Sequence, residues 1–326
     1  MKRGVVILGI AVVVLLLGTG SFLALRYKTA EKEYQEGLSL YQLNQHIDAT
    51  PHFERSCQYG EIHACTRLAE SYEKGYGVSK DPTVAITLYE KACNRKDMEA
   101  CEGEGDAYLS KDTKKAILLL QKSCDGGWMS ACNQLGRMYI YGFDVEKDYR
   151  KGHDSLLRSC VGNNMEGCRM LASTYWAGNG VDKDENQAKV LYEKACTGGN
   201  FDACNDLGDL LRSSDSLNAV KYFDKACSGG ILNGCVSTGS LYEDGALGQP
   251  DGEIARVYYQ KACEGGDRMG CHFLGELFLG DGSGRVRGNL ELAKSYLKKA
   301  CDLKLSESCE MLGRISNEPE QMSFNF

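Results

Sequence analysis

Sixteen cysteines stand in this chain as eight pairs, and in every pair the second follows the first by eight positions. The pairs are Cys57 with Cys65, Cys93 with Cys101, Cys124 with Cys132, Cys160 with Cys168, Cys196 with Cys204, Cys227 with Cys235, Cys263 with Cys271 and Cys301 with Cys309. Paired cysteines serve metal binding, dithiol exchange or structural bridging. Zinc sites usually leave two to four residues between their cysteines, and the five histidines, His46, His52, His63, His153 and His272, fall at different places relative to the pairs. No metal and no cofactor is therefore expected. No pair has the Cys-x-x-Cys spacing of a thioredoxin-like centre. An even count in constant register reads instead as a disulfide framework, given export from the cytoplasm.

Other chemistry is sparse. Ser71-Tyr72-Glu73-Lys74 and Ser295-Tyr296-Leu297-Lys298 fit the Ser-x-x-Lys pattern of penicillin-recognising enzymes, but the partner motifs Ser-Asp-Asn and Lys-Thr-Gly are absent. No His-Glu-x-x-His occurs, and no glycine-rich run follows a strand. No catalytic residue is nominated.

The pairing dictates the elements that must carry it. Eight residues of continuous helix separate two Cα atoms by about 12 Å, whereas a disulfide needs them within about 7 Å. The chain must turn between the two cysteines. Asp125-Gly126-Gly127, Thr197-Gly198-Gly199, Ser228-Gly229-Gly230 and Glu264-Gly265-Gly266 follow first cysteines directly, where glycine ends a helix. In segments such as Val190-Leu191-Tyr192-Glu193-Lys194-Ala195-Cys196, apolar positions recur at three- to four-residue steps, as a buried helical stripe requires. Asp81-Pro82 and Thr50-Pro51 read as helix starts. Runs of period two are hard to find, so almost no strand is expected.

First cysteines follow one another at steps of 36, 31, 36, 36, 31, 36 and 38 residues, the mark of a stacked repeat array. The order 36, 31, 36 occurs twice, so Cys57, Cys93 and Cys124 map onto Cys160, Cys196 and Cys227 through one shift of 103. Duplication of a three-repeat block accounts for this, as does separate loss of one loop in two copies.

Met1-Lys2-Arg3 precedes an uncharged apolar stretch from Gly4 to Leu25, long enough to span a bilayer core of ~30 Å. Residues 1–26 are read as a transmembrane anchor that sends the repeats across the inner membrane into the periplasm. A signal peptide cleaved near Gly18-Thr19-Gly20 is the alternative, leaving the chain secreted or periplasmic. Residues 27–316 form the repeat body, closed by a helix near Ser306 to Ser316, and 317–326 a disordered tail. The formal net charge of −7 argues against nucleic acid, which needs a clustered basic face.

The run Ala64-Cys65, Leu68-Ala69, Tyr72, Gly75, Gly77-Val78, Asp81, Ala85, Leu88-Tyr89 and Lys91-Ala92-Cys93, repeated from Gly167-Cys168 to Lys194-Ala195-Cys196, resembles the Sel-one-like repeat, a helix-turn-helix relative of the tetratricopeptide repeat. The cysteine spacing is similar to that of the secreted Helicobacter cysteine-rich proteins. The 31-residue copies depart from the pattern, with Leu109-Ser110-Lys111-Asp112 and Arg212-Ser213-Ser214-Asp215 in place of the glycine-rich loop, and Glu104 and Thr238 stand where it expects apolar residues.

The resemblance implies an all-α, right-handed α-solenoid of about eight disulfide-stapled helix-turn-helix repeats. It implies a non-catalytic scaffold that binds a protein or peptide through its concave face, with some cysteine-rich relatives assigned β-lactamase or penicillin-binding activity as the alternative. By similarity to tetratricopeptide arrays, contacts fall one residue after the second cysteine and about a turn further on. The partner-binding candidates are Asn133, Arg137, Tyr141, Arg169, Trp176, Asn205, Asp209 and Arg212. The amides suit peptide backbone, the arginines carboxylates, and the aromatic rings apolar anchoring.

Overall fold

A computed structural model describes residues 25–280 and 288–317. Seventeen helices and no strand are found among them. The chain forms two compact units, one ending at Gly162 and one beginning at Asn163. In the first, α1 (25–42) is followed by α2 (His46–Tyr59), α3 (Ile62–Lys74), α4 (Pro82–Asn94), α5 (Met98–Tyr108), α6 (Thr113–Asp125), α7 (Met129–Tyr141) and α8 (Tyr149–Val161). In the second come α9 (Met165–Ala177), α10 (Glu185–Thr197), α11 (Phe201–Leu211), α12 (Ser216–Ser228), α13 (Leu232–Glu243), α14 (Gly252–Glu264), α15 (Arg268–Leu279), α16 (Leu290–Asp302) and α17 (Ser306–Asn317). Eight helix pairs and a final helix result, as the sequence predicts. The anchor or signal reading of 1–26 lies outside the described residues except at its last two positions, as does nearly all of the tail. Among the described residues no helix is long and apolar enough to cross a membrane.

Every cysteine is disulfide-bonded. In the first unit Cys57 is bonded to Cys65, Cys93 to Cys101 and Cys124 to Cys132, with Cα atoms 4.7, 4.6 and 4.8 Å apart. In the second, Cys196 is bonded to Cys204, Cys227 to Cys235, Cys263 to Cys271 and Cys301 to Cys309, at 4.7, 4.6, 4.4 and 4.8 Å. Each bridge thus joins the last turn of an even-numbered helix to the first turn of the next, and the pairing is the one the register predicts. Closing a loop of this length stabilises by roughly 2 to 3 kcal/mol in the loop-entropy model. Around the bridges the core is built from alanines and large residues in helical register, including Ala92, Ala100, Tyr192, Leu207, Phe223 and Tyr259.

Helix ends follow from side-chain chemistry. Asp81, Asp112, Asp148, Asp184, Asp215 and Asp251 each accept a hydrogen bond from an N–H of the first turn, a contribution of about 1 kcal/mol apiece. The paired glycines divide the labour of turning. Gly127 has φ +94° with open space around it, so its backbone conformation is what calls for glycine, whereas a Cβ on Gly126 would run into Met98.

Thr50-Pro51 is not a helix start, contrary to the sequence reading. The helix begins at His46, and Thr50 Oγ1 lies 2.9 Å from the His46 carbonyl oxygen and 2.8 Å from that of Tyr76. Burial of Ala49 and Phe53 on one continuous helix outweighs the backbone bond that Pro51 forfeits. The two polar residues at apolar positions are both accommodated. Glu104 is buried with Lys115 Nζ 3.1 Å from its carboxylate, and Thr238 donates to the Gly234 carbonyl one turn back.

Candidate functional site

Within each unit, polar side chains join neighbouring odd-numbered helices side by side. In the first unit Arg67 on α3 pairs with Glu99 on α5. Trp128 Nε1 donates to Glu102 Oε2 at 2.6 Å, and Gln134 on α7 donates to Asp106 on α5. In the second unit Arg169 on α9 pairs with Asp206 on α11 at 2.9 Å, Asn233 on α13 donates to Asn205 on α11, and the His272 ring on α15 meets Ser308 on α17 at 2.8 Å. Residues three and four apart on a helix share a face, and the four-residue steps after the second cysteine put Glu102 with Asp106, and Asn205 with Asp209, on one.

In the first unit a cavity of about 270 Å³ opens on this face between α3 and α5, with Tyr89 of α4 in its wall. Gly103 makes room for that ring, since a Cβ there would stand 2.7 Å from Tyr89 Cε1. Arg67 bonds Glu70 and Glu99, and Lys74 bonds Glu70 at 2.6 Å. Lost hydration works against the Glu70 carboxylate, but Lys74 and Arg67 together hold it below the usual range. Glu73 accepts from the Tyr89 hydroxyl at 2.9 Å, Glu102 from Trp128, and Asp106 from Gln134. Asp106 opens to solvent on one side and is enclosed by protein on the other. That loss of hydration, aided by Glu102 and Glu73 and opposed by Gln134, raises its carboxyl to about 6.

Of the candidates in the first unit, Asn133, Arg137 and Tyr141 lie on α7 at four-residue steps. Arg137 and Tyr141 are exposed, and the Asn133 Oδ1 is buried without a donor. In the second unit Arg169 already holds Glu166 through two parallel bonds of 3.0 and 2.8 Å besides Asp206, so its fork is not free for a partner's carboxylate. Asn205 is buried, donating to Asp209 at 3.2 Å. Arg212 rests over the Phe223 ring at 5.3 Å, while Trp176 and Asp209 are exposed. Glu73, Arg67, Lys74, Tyr89 and Glu99 belong to the cavity although sequence reasoning did not select them as candidates. Glu73 stands eight residues after its cysteine, the register that selects Trp176, and that correspondence was available in the sequence.

Two other chemistries were open to this chain. Ser71 is buried with Oγ donating to the Arg67 carbonyl, and Lys74 is engaged by Glu70, so the first Ser-x-x-Lys match holds no activated hydroxyl. Ser295 and Lys298 are simply exposed. The β-lactamase alternative finds no support in this geometry. Glu33, Glu36 and His52 bring three possible ligand atoms within 4.8 Å of one another. There Arg55 bonds Glu33 at 2.9 Å and lies 3.1 Å from His52 Nδ1, so two of the three groups are already engaged by a side chain.

Comparisons with known proteins bear on the fold. The Sel1 repeat model matches residues 62–97, 100–128, 130–154, 166–200, 202–231, 234–267 and 268–305. No curated protein matches. Among solved structures, c5321, a protective antigen of uropathogenic Escherichia coli strains with an SLR fold, is similar at 22% identity and a TM-score of 0.71 over 90% of this chain. This chain spans 66% of that protein. A Sel1 repeat protein from Oxalobacter formigenes is 21% identical with a TM-score of 0.59, over 71% of this chain and 96% of its own. Cysteine-rich protein B of Helicobacter pylori is 36% identical over 39% of this chain and 96% of its own, with a TM-score of 0.34. With family models covering most of its length, and helix pairs stapled by eight disulfides in an all-α solenoid, the chain belongs to the Sel1 repeat family.

Proposed function

We propose that this protein is a non-catalytic scaffold that binds a protein or peptide partner outside the cytoplasm through the face of its odd-numbered helices. Sel1 repeat proteins bind protein partners, and stacked repeats present extended surfaces for doing so. The observation that carries the reading is the cavity of about 270 Å³ between α3 and α5, which opens on that face. The exposed Arg137 and Tyr141 of the first unit, and Trp176 and Asp209 of the second, supply polar contacts and aromatic anchors on the odd-numbered helices.

Eight disulfides fit an oxidising compartment outside the cytoplasm. Residues 1–26 serve as the inner-membrane anchor or signal that delivers residues 27–316 to the periplasm, and 317–326 as a tail. The test is capture from envelope extracts by the oxidised chain, beside a variant carrying Arg137→Ala, Tyr141→Ala, Trp176→Ala and Asp209→Ala. The expected result is a discrete partner retained by the first and lost by the second. Equal retention by both would move the site off this face.

A further inference from the structure

We infer that the cavity between α3 and α5 receives an organic cation, the lysine or arginine side chain of a partner segment. This rests on the proposed binding role of the odd-numbered face and names the chemistry it selects. The carboxylates of the cavity fall into two sets. Glu70 and Glu99 are matched by Arg67 and Lys74. Glu73, Glu102 and Asp106 are held only by neutral donors, from Tyr89, Trp128 and Gln134. Three negative charges therefore line one cavity with no protein cation bonded to any of them, Arg67 and Lys74 of the same lining being engaged by Glu70 and Glu99. Neutral donors orient these oxygens without discharging them, which leaves a negative potential concentrated by the surrounding protein.

The size and spread of the charges choose among cations. Among the described residues, the ligand atoms of Glu33, Glu36 and His52 are the group that converges within 4.8 Å. Glu73, Glu102 and Asp106 do not converge that closely and are too dispersed to coordinate one metal ion. A cavity of about 270 Å³ suits a single long side chain, being smaller than most small-molecule sites. The Tyr89 ring in its wall would lie along the apolar stem. An ammonium or guanidinium would then take the three carboxylates as acceptors.

The experiment measures binding of capped, fluorescein-labelled tetralysine and tetraarginine peptides to the full, oxidised chain in neutral detergent, by anisotropy at 150 mM NaCl, with tetraglutamate as control. The expected result is saturable binding of the basic peptides, weakened at least tenfold by Glu73→Gln/Glu102→Gln/Asp106→Asn together. The charge-matched triple Glu90→Gln/Glu253→Gln/Glu291→Gln, at exposed positions elsewhere, should change it less than twofold. Asp106→Asn alone, at an exposed position that folding tolerates, should weaken it about threefold.

No binding by the unaltered chain would overturn the proposal, as would equal loss in both triples. So would displacement of the peptide by 1 mM calcium or zinc beyond that by NaCl of equal ionic strength. If the partner of the capture experiment is retained while basic peptides are not bound, the charge assignment alone fails. If the partner too is indifferent to the face, the binding role itself fails.

Discussion

Residues 57–132 and 160–235 correspond through a shift of 103, and the two regions agree wherever the backbone is constrained. The Cys93–Cys101 bridge spans 4.6 Å between Cα atoms and Cys196–Cys204 spans 4.7 Å. Asp112 and Asp215 cap equivalent helices through the N–H three residues on. On the odd-numbered face they diverge. Glu73 and Glu102 of the first unit correspond to Trp176 and Asn205 of the second, while Asp106 and Asp209 keep the carboxylate. One face gathers uncompensated carboxylates in a cavity. The other ties Arg169 to Glu166 and Asp206, and Asn205 to Asp209 and Asn233. A repeat must close its helix ends, staple its junction and fit its core, and few residues do those jobs. Positions pointing away from the core carry no such demand, so recognition can change while the scaffold stays.

The sharpest way to break this comparison is to exchange a buried position. Glu104 corresponds to Leu207, which is wholly buried, and position 115 to Asn218. Leu207→Glu places a carboxylate where no lysine stands, and a loss of about 3–5 kcal/mol is expected in urea unfolding. A loss below 1 kcal/mol would show that this core tolerates charge without a partner. Next in size, the double changes Cys93→Ser/Cys101→Ser and Cys196→Ser/Cys204→Ser should each cost roughly 2 to 3 kcal/mol. Costs differing by more than about 1 kcal/mol between the two would deny that the junctions are equivalent.

Smaller and opposite in sign, Glu104→Leu should stabilise by about 1 kcal/mol. It removes a buried carboxylate, while the half-exposed Lys115 keeps water and the Tyr108 ring at 3.8 Å. Destabilisation would mean that the ion pair contributes more than its lost hydration costs. The smallest effect concerns Asp106. Its folded carboxyl is raised to about 6, so the folded state holds this proton more tightly than the unfolded chain does, though the group is ionised at neutral pH. The stability this confers is complete below about pH 4 and is lost as pH rises through about 6. Asp106→Asn should therefore raise the melting temperature by about 1–2 °C at pH 7.5, discounted for exposure, and by less at pH 4.5. A larger gain at the lower pH would contradict the assignment.

Much of this was legible beforehand because repetition makes one inference serve eight times. The cysteine register implied both connectivity and the turn between helices, and Asp81-Pro82 marked a helix start. Thr50-Pro51 misled because a capping residue before proline is a local signal. Here it was overridden by Ala49 and Phe53, buried on a helix that runs through both residues. The candidate face was legible as a set of positions but not as chemistry. Spacing selected Arg169 and Asn205 as open to a partner, yet each is engaged by neighbours 28 to 37 residues away in sequence.

The sequence by itself determined the repeat, its all-α character, the disulfide pairing and which helix face carries the variable polar residues. These rest on local spacing, helix ends and composition, each satisfied within one repeat. Only the tertiary structure decided which of those side chains neutralise one another, that Glu104 finds Lys115, and that Glu73, Glu102 and Asp106 share one cavity in which Arg67 and Lys74 bond other carboxylates. Charge pairing across a stack depends on distances of a few ångströms between residues far apart in the chain, and interaction energy falls steeply beyond contact in a solvated protein. Periodicity sets the register of such groups but not the geometry that settles which partner each one meets.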